Sequence, residues 1–400
     1  MASLDQVSIR GRAAIVGAAD AVSPTGELDI SGKAAEARMI KEALEDAGLS
    51  LADVDGVASA TGTGFAPSME LAEYLGIQPA WTDSTQVGGS SFEVHAEHAA
   101  AAIALGMAEV VVISYAANPR SDMKKRGERG YRSRQVTGGV SSMAEWELPF
   151  GMRMPMGAYA LAAARHMAQY GTTSEQLAQI AVSTREWALK NPRAYHHDKP
   201  ITVQDVLDSS MEASPLHKLD CCLVTDGAGA IVLTSAARAR DLPKPPAYVL
   251  GAATSHTHML ISQMPDLTVT AGAVSGPKAF RQAGIGPDDV DVLEAYDSFT
   301  ITLLLHLEDL GFCPKGEGGK FVEDGRIGPG GDLPTNTNGG GLAYTHPGMY
   351  GMFLLVEAVR QLRGEGGERQ VSGAEIAVAH GCGGVLSSTS TVVMGTEATL

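Results

Sequence analysis

"ALEDAGLSLADVDGVASATG", residues 43–62, returns late in the chain as "AFRQAGIGPDDVDVLEAYDS", residues 279–298. Ala47, Gly48, Asp53, Val54 and Asp55 match Ala283, Gly284, Asp289, Val290 and Asp291 at one constant offset, without a gap. Each copy reads as the end of an amphipathic helix, a glycine stop, a short turn and a buried strand. A second unit repeats in the same order. The helix and strand from Ser90 to Tyr115 are echoed by "GMYGMFLLVEAVRQLRG" (348–364) and "AEIAVAHG" (374–381). Two halves of like design, facing each other across a cleft, follow from this.

Outward from the repeat, "GRAAIVGA" (11–18) reads as a strand and "GKAAEARMIKEALEDAGL" (32–49) as a helix. "AEVVVISYA" (108–116) and "DGAGAIVLTSA" (226–236) read as further buried strands. Strand and helix alternate, which is the pattern of an α/β layered fold. The prolines of "ARARDLPKPPAYV" (237–249) place a boundary near residue 240, giving halves 1–240 and 241–400. The segment from about 118 to 220 has no counterpart in the second half and reads as an insertion, where specificity is often placed. The methionines of "FGMRMPMGAY" (150–159) suit either core packing or an adaptable apolar lining.

A net charge of −16 argues against nucleic acid or an anionic membrane surface as a partner, because both demand a basic field. One segment opposes that balance. "MKKRGERGYRSR" carries Lys124, Lys125, Arg126, Arg129, Arg132 and Arg134, and reads as a solvated loop or as a contact for phosphate or an acidic partner. The sequence has no apolar run long enough to span a bilayer, and its first residues lack the basic start and apolar stretch of a signal peptide, so a cytoplasmic protein is expected. Four cysteines without CxxC spacing suggest structural thiols. His95 and His98 lie one helical turn apart with Glu93 and Glu97 nearby, but a third spaced ligand is wanting and no metal is expected.

The stretch "DSTQVGGSSFEVHAEHAAAAIALG" (83–106), the motif "NTNGGGLAYTHPGMYG" (336–351) and the repeated halves together resemble the thiolase superfamily. "HMAQYGTTSEQLAQIA" (166–181), "SPLHKLDCCLVTDGAGA" (214–230) and "EAYDSFTITLLLHLEDLGFCPKGEGG" (294–319) are similar to its sterol-carrier-protein branch. The resemblance covers essentially the whole chain and implies the thiolase-like fold, two α/β halves in an αβαβα layering. It also implies a nucleophilic cysteine at the start of the helix ending near Gly106. Counting back, that place falls on Gly89.

Glycine cannot hold an acyl group as a thioester, which needs a thiolate of lowered pKa. Ser90 and Ser91 next to it read as helix-capping groups. The His-Asp-Cys-Phe segment of the branch is "YDSF" here, so Tyr296 and Ser298 replace histidine and cysteine, and Asp297 between them reads as a turn former or an orienting group. In "HGCGG" (380–384), His380 matches the family's acid/base cysteine, with Cys382 beside it. His346 of "THPG" remains from the usual set. His256 and His258 are candidates to line the cleft.

This altered set resembles the thiolase-like lipid-transfer retro-aldolases, which cleave β-hydroxyacyl-CoA side chains of steroids without a covalent intermediate. The resemblance assigns catalytic tyrosines to Tyr296 and Tyr344. In the expected roles Tyr344 takes the hydroxyl proton and Tyr296 donates to the substrate oxygen. His346 and the amides near Gly383 and Gly384 hold the oxyanion, at about 3 kcal/mol per well-placed donor. Asn336 and Asn338 open the glycine run by a tight turn or by close approach to the thioester. The resemblance further implies no cofactor beyond CoA as part of the substrate, a homodimer through an edge strand, and a small zinc-ribbon and OB-fold partner giving a heterotetramer. Two other classes stay open: an acyltransferase using Ser90, Ser91 or Cys382, and a non-catalytic acyl-CoA-binding subunit.

Overall fold

The computed structural model describes residues 8–61, 65–127, 142–152 and 154–400. Its centre is a nine-stranded mixed sheet. In chain order the strands are β1 (Ala13–Ala21), β2 (Gly56–Ser59), β3 (Trp81–Asp83), β4 (Val110–Ala117), β5 (Gly227–Ser235), β6 (Ala247–His256), β7 (Val292–Ala295), β8 (Ile376–Gly383) and β9 (Ser388–Gly395). Across the sheet they run β3-β2-β4-β5-β1-β6-β9-β8-β7.

That order carries the repeat. Parallel pairs β2 with β4 and β7 with β8 are each followed by antiparallel pairs, β4-β5-β1 on one side and β8-β9-β6 on the other. The halves join where Ala14 and Ile15 of β1 pair with Tyr248 and Ala247 of β6. Even the place of β3 is marked in the second half, by a parallel bridge from Leu293 to Thr335.

Helix α1 (Gly32–Asp46) starts at Ser31, whose side chain accepts from the Ala34 amide, and buries Ala35, Met39, Ile40, Ala43 and Leu44, one face at helical spacing. Truncating Met39 or Ile40 to Ala would cost about 2–5 kcal/mol. A Cβ on Gly17 of β1 would run into the carbonyl of Ala43, and one on Gly251 of β6 into that of Ala279. Ala43 and Ala279 begin the two matched stretches, so the sequence repeat is one helix-on-strand contact built twice.

Two further helices form the middle layer. α2 (Ser91–Ala104) and α7 (Gly351–Leu362) pack on each other and on strands of both halves, while α1 lies on the first half and α5 (Gly272–Ala283) on the second. Burial from both sides explains why α2 is rich in alanine: Ala96, Ala99 and Ala100 are fully buried. The insertion supplies α3 (Met156–Tyr170) and α4 (Ser174–Leu189), the latter begun by a capping box between Thr173 and Gln176. Both pack on α6 (Thr300–Asp309), and α4 also touches the turn at Gly340–Tyr344. Asn191 reaches the Asn338 carbonyl at 2.9 Å, and the Tyr195 amide reaches that of Tyr344 at 3.0 Å. The insertion is thereby stitched to the loop that carries His346. Among the described residues no helix is long and apolar enough to cross a membrane.

Candidate active site

The N-termini of α2 and α7 meet the ends of β7 and β8, and Tyr296 stands at that junction. Its amide donates to the His380 carbonyl at 2.9 Å. Its phenol oxygen accepts from the Tyr350 amide at 3.2 Å and lies 3.1 Å from His346 Nε2. The Tyr350 N–H occupies one lone pair of the phenol oxygen, and the His346 tautomer sets which of the phenol and Nε2 donates to the other. Burial pushes the Tyr296 phenol well above its usual range and His346 down to about 4. The pair is therefore a neutral tyrosine beside a neutral imidazole, with Tyr350 packed against both rings.

At Gly89, where the resemblance expects the cysteine, the structure has no room for a side chain. A Cβ there would collide with the Tyr296 ring and the Cys382 carbonyl oxygen. Gly88, at φ +82°, faces the Gly383–Gly384 backbone, where a Cβ would come within 2.5 Å of the Gly384 nitrogen and 2.9 Å of the Gly383 Cα. The glycine pairs at 88–89 and 383–384 thus pack backbone against backbone, and the Tyr296 ring fills the space that a side chain at position 89 would take.

The neighbouring hydroxyls are occupied. Ser91 donates to the Gly88 carbonyl at 2.6 Å and accepts from the Val87 amide at 3.0 Å; Ser90 is paired with Ser388 at 2.9 Å. Cys382 is buried, with its thiol pushed up to about 12. None of these is an activated nucleophile.

Tyr344 stands elsewhere. Its hydroxyl donates to Asp20 Oδ2 at 2.5 Å, inside a buried cluster in which Arg360 and Arg193 lie 2.6 and 2.8 Å from Asp20 Oδ1. The arginines hold Asp20 far below the usual carboxylate range despite burial, and burial together with the Asp20 charge raises the Tyr344 phenol. Ring contacts run from Tyr344 through Phe353 and Tyr350 to Tyr296, so the structure does not join the two tyrosines named from the sequence. Tyr344→Phe is expected to cost about 1–3 kcal/mol of stability, the worth of a hydrogen bond to a buried charge. Asp20→Ala, which takes the carboxylate from the part-buried Arg360 and leaves Arg193 only the main-chain carbonyl of residue 20, should cost about 3 kcal/mol. Urea denaturation alongside turnover checks both. A Tyr344→Phe protein of unchanged stability and no turnover would return Tyr344 to the chemistry.

Asp297 accepts from the amides of Gly341 (2.7 Å) and Leu342 (3.3 Å) and fixes the loop before His346; burial raises it to about 7. Asn338 accepts from the Gly340 amide and the Tyr350 hydroxyl, both at 2.8 Å. Asn336 takes the positive φ expected of it, +54°, and accepts from the Ala295 amide at 2.8 Å. The His380 imidazole is buried against Thr391 and His306, so what it gives Tyr296 is a main-chain carbonyl. His256 bonds Ser388 and His258 the Val385 carbonyl. His95 and His98 find separate partners, the Thr85 carbonyl and Asp83. In the basic segment Lys124 pairs with Glu27, while Arg129, Arg132 and Arg134 lie outside the described residues.

Sequence reasoning passed over Tyr350 and weighed Glu93 only as a neighbour of His95 and His98. Tyr350 follows His346 in a motif already singled out, but nothing in its spacing separated a supporting ring from a core one. Glu93 did carry a signal, a carboxylate inside an apolar helix.

Comparison with known proteins gives the family. Residues 14–237 match the family described as "Thiolase, N-terminal domain", and residues 253–396 the one described as "Thiolase C-terminal domain-like". A steroid side-chain-cleaving aldolase of Thermomonospora curvata is 39% identical over 336 residues, covering 80% of this chain and 83% of that one. A 17-hydroxy-3-oxo-4-pregnene-20-carboxyl-CoA lyase of Mycobacterium tuberculosis is 39% identical over 366 residues, covering 89% and 92%. The solved Ltp2-ChsH2(DUF35) aldolase superposes with a TM-score of 0.87 at 33% identity, over 97% of this chain and 99% of that one.

Proposed function

Since the chain belongs to the thiolase superfamily, in its sterol-carrier and lipid-transfer thiolase-like branch, we propose that it is a retro-aldolase, a carbon–carbon lyase acting on a β-hydroxyacyl-CoA. The observation that carries this reading is the Tyr296 ring in the place of the nucleophile's side chain, with its hydroxyl on His346.

The β-hydroxyl gives its proton to the Tyr296 oxygen as Tyr296 passes its own to His346 Nε2. The freed O–H electrons form the carbonyl, the Cα–Cβ bond breaks, and its electron pair remains on the thioester as an enolate. Amides of the Gly383–Gly384 turn are assigned to the enolate oxygen. The proton then returns through the same pair to the α-carbon. A ketone or aldehyde and a shorter acyl-CoA leave, no net proton is consumed and no acyl-enzyme forms. The His380 side chain takes no part in these steps.

The names of the two relatives support a steroid side-chain CoA thioester as the substrate. By the same likeness, the solved aldolase supports a DUF35 partner; the resemblance adds that this partner is a zinc-ribbon and OB-fold protein, joined to a homodimer of this chain as a heterotetramer. The test is product analysis after incubation, with that partner, of β-hydroxyacyl-CoAs bearing a tertiary alcohol. A ketone and a shortened acyl-CoA in equal amounts are expected. Absence of cleavage for every substrate would leave the non-catalytic reading in place.

A further inference from the structure

Glu93, on the first turn of α2, is fully buried, and both of its carboxyl oxygens lack a side-chain or ligand partner. Two glycines make room for it. A Cβ on Gly351 would run into the carboxyl, with Oε1 at 2.6 Å, and a Cβ on Gly381 would meet its Cδ at 2.5 Å. Gly351 directly follows Tyr350, whose amide donates to the Tyr296 hydroxyl. Gly381 directly follows His380, whose carbonyl accepts from the Tyr296 amide. The carboxyl is therefore wedged between the two backbones that grip Tyr296 at its two ends.

We infer that Glu93 is a positioning residue for Tyr296: its carboxyl spaces the start of α7 from β8 and so sets the two main-chain groups that hold Tyr296. The inference rests on the catalytic role given to Tyr296 above. Burial raises Glu93 to about 8, opposed only by its own backbone amide, so the acid is neutral at pH 7. On β8 the titratable group that feels its charge is Cys382; no ionic side chain of α2, α7 or β8 among the described residues stabilises the carboxylate.

Proton linkage gives a readout apart from activity. The folded chain keeps this proton from about pH 4.5, where an unfolded glutamate loses it, up to about 8. Rising pH across that window therefore favours unfolding, and glutamine escapes the effect. The test measures Tm and kcat from pH 5 to 9.5 for the wild type, Glu93→Gln, Glu93→Ala and Tyr296→Phe, with the partner present for turnover. The Tm advantage of Glu93→Gln is expected to widen up to about pH 8 and then level off. Glu93→Ala should lose about tenfold or more in kcat with KM changed less than twofold. Glu93→Gln should recover most of that loss and lack the fall in kcat that the wild type shows above pH 8. Coincident pH profiles of kcat for the wild type and Glu93→Gln would overturn the inference. Full activity of Tyr296→Phe would instead overturn the reading of Tyr296, whatever the Glu93 variants do.

Discussion

Tyr296→Phe is expected to lower kcat by about 10²–10⁴-fold, the usual worth of a positioned acid/base group, with circular dichroism like wild type and stability lower by about 1–3 kcal/mol, because the buried Tyr350 amide loses its acceptor. The phenol oxygen is the atom that links the Tyr350 amide to His346 Nε2, so its loss severs the proton path while leaving the ring in contact with Gly89. KM should change little, because the ring still fills the same space. His346→Gln should fall by a similar factor, and the double variant by little more than either alone, since the two act as one unit. Steady-state kinetics on the purified complex checks this. Independent, multiplying losses would show that Tyr296 and His346 do not share a proton.

Gly89→Cys should abolish turnover and yet give no thiolase. A cysteine at position 89, where the resemblance expects one, drives its Cβ into the Tyr296 ring and the Cys382 carbonyl, and overpacking of this kind costs about 1–3 kcal/mol. Relief requires Tyr296 to swing away, which breaks the 3.1 Å contact with His346. Assays for cleavage and for acyl transfer, with a melting curve, test it. A Gly89→Cys protein with wild-type lyase turnover would mean that the ring and the glycine are not mutually dependent.

The repeat made the fold legible from sequence. Gly17 and Gly251 are the places where its helix presses on its strand, and such packing leaves a periodic trace in one dimension. Gly89 was legible too, as a residue that cannot itself be a nucleophile. The partner of each hydroxyl was not. Tyr344 finds Asp20 from 324 positions away, and sequence spacing carries no information about a pairing of that range. Resemblance put Tyr344 beside Tyr296, whereas a buried aspartate flanked by two arginines claims its hydroxyl. His380 failed as a side-chain candidate for a local reason: alternation along β8 turns its imidazole toward Thr391 and leaves its carbonyl for Tyr296. Glu93 was visible only as a neighbour of His95 and His98, and its place depends on two glycines from other parts of the chain.

The central claim is that a carbon–carbon bond breaks here without the chain ever holding the acyl group. Intact-mass spectrometry of the chain, quenched during turnover of a β-hydroxyacyl-CoA with its partner present, tests that most directly. The account predicts accumulating ketone and shortened acyl-CoA with the protein at its unmodified mass throughout. An acyl adduct that forms and decays at the rate of turnover, on Ser90, Ser91 or Cys382, would contradict it.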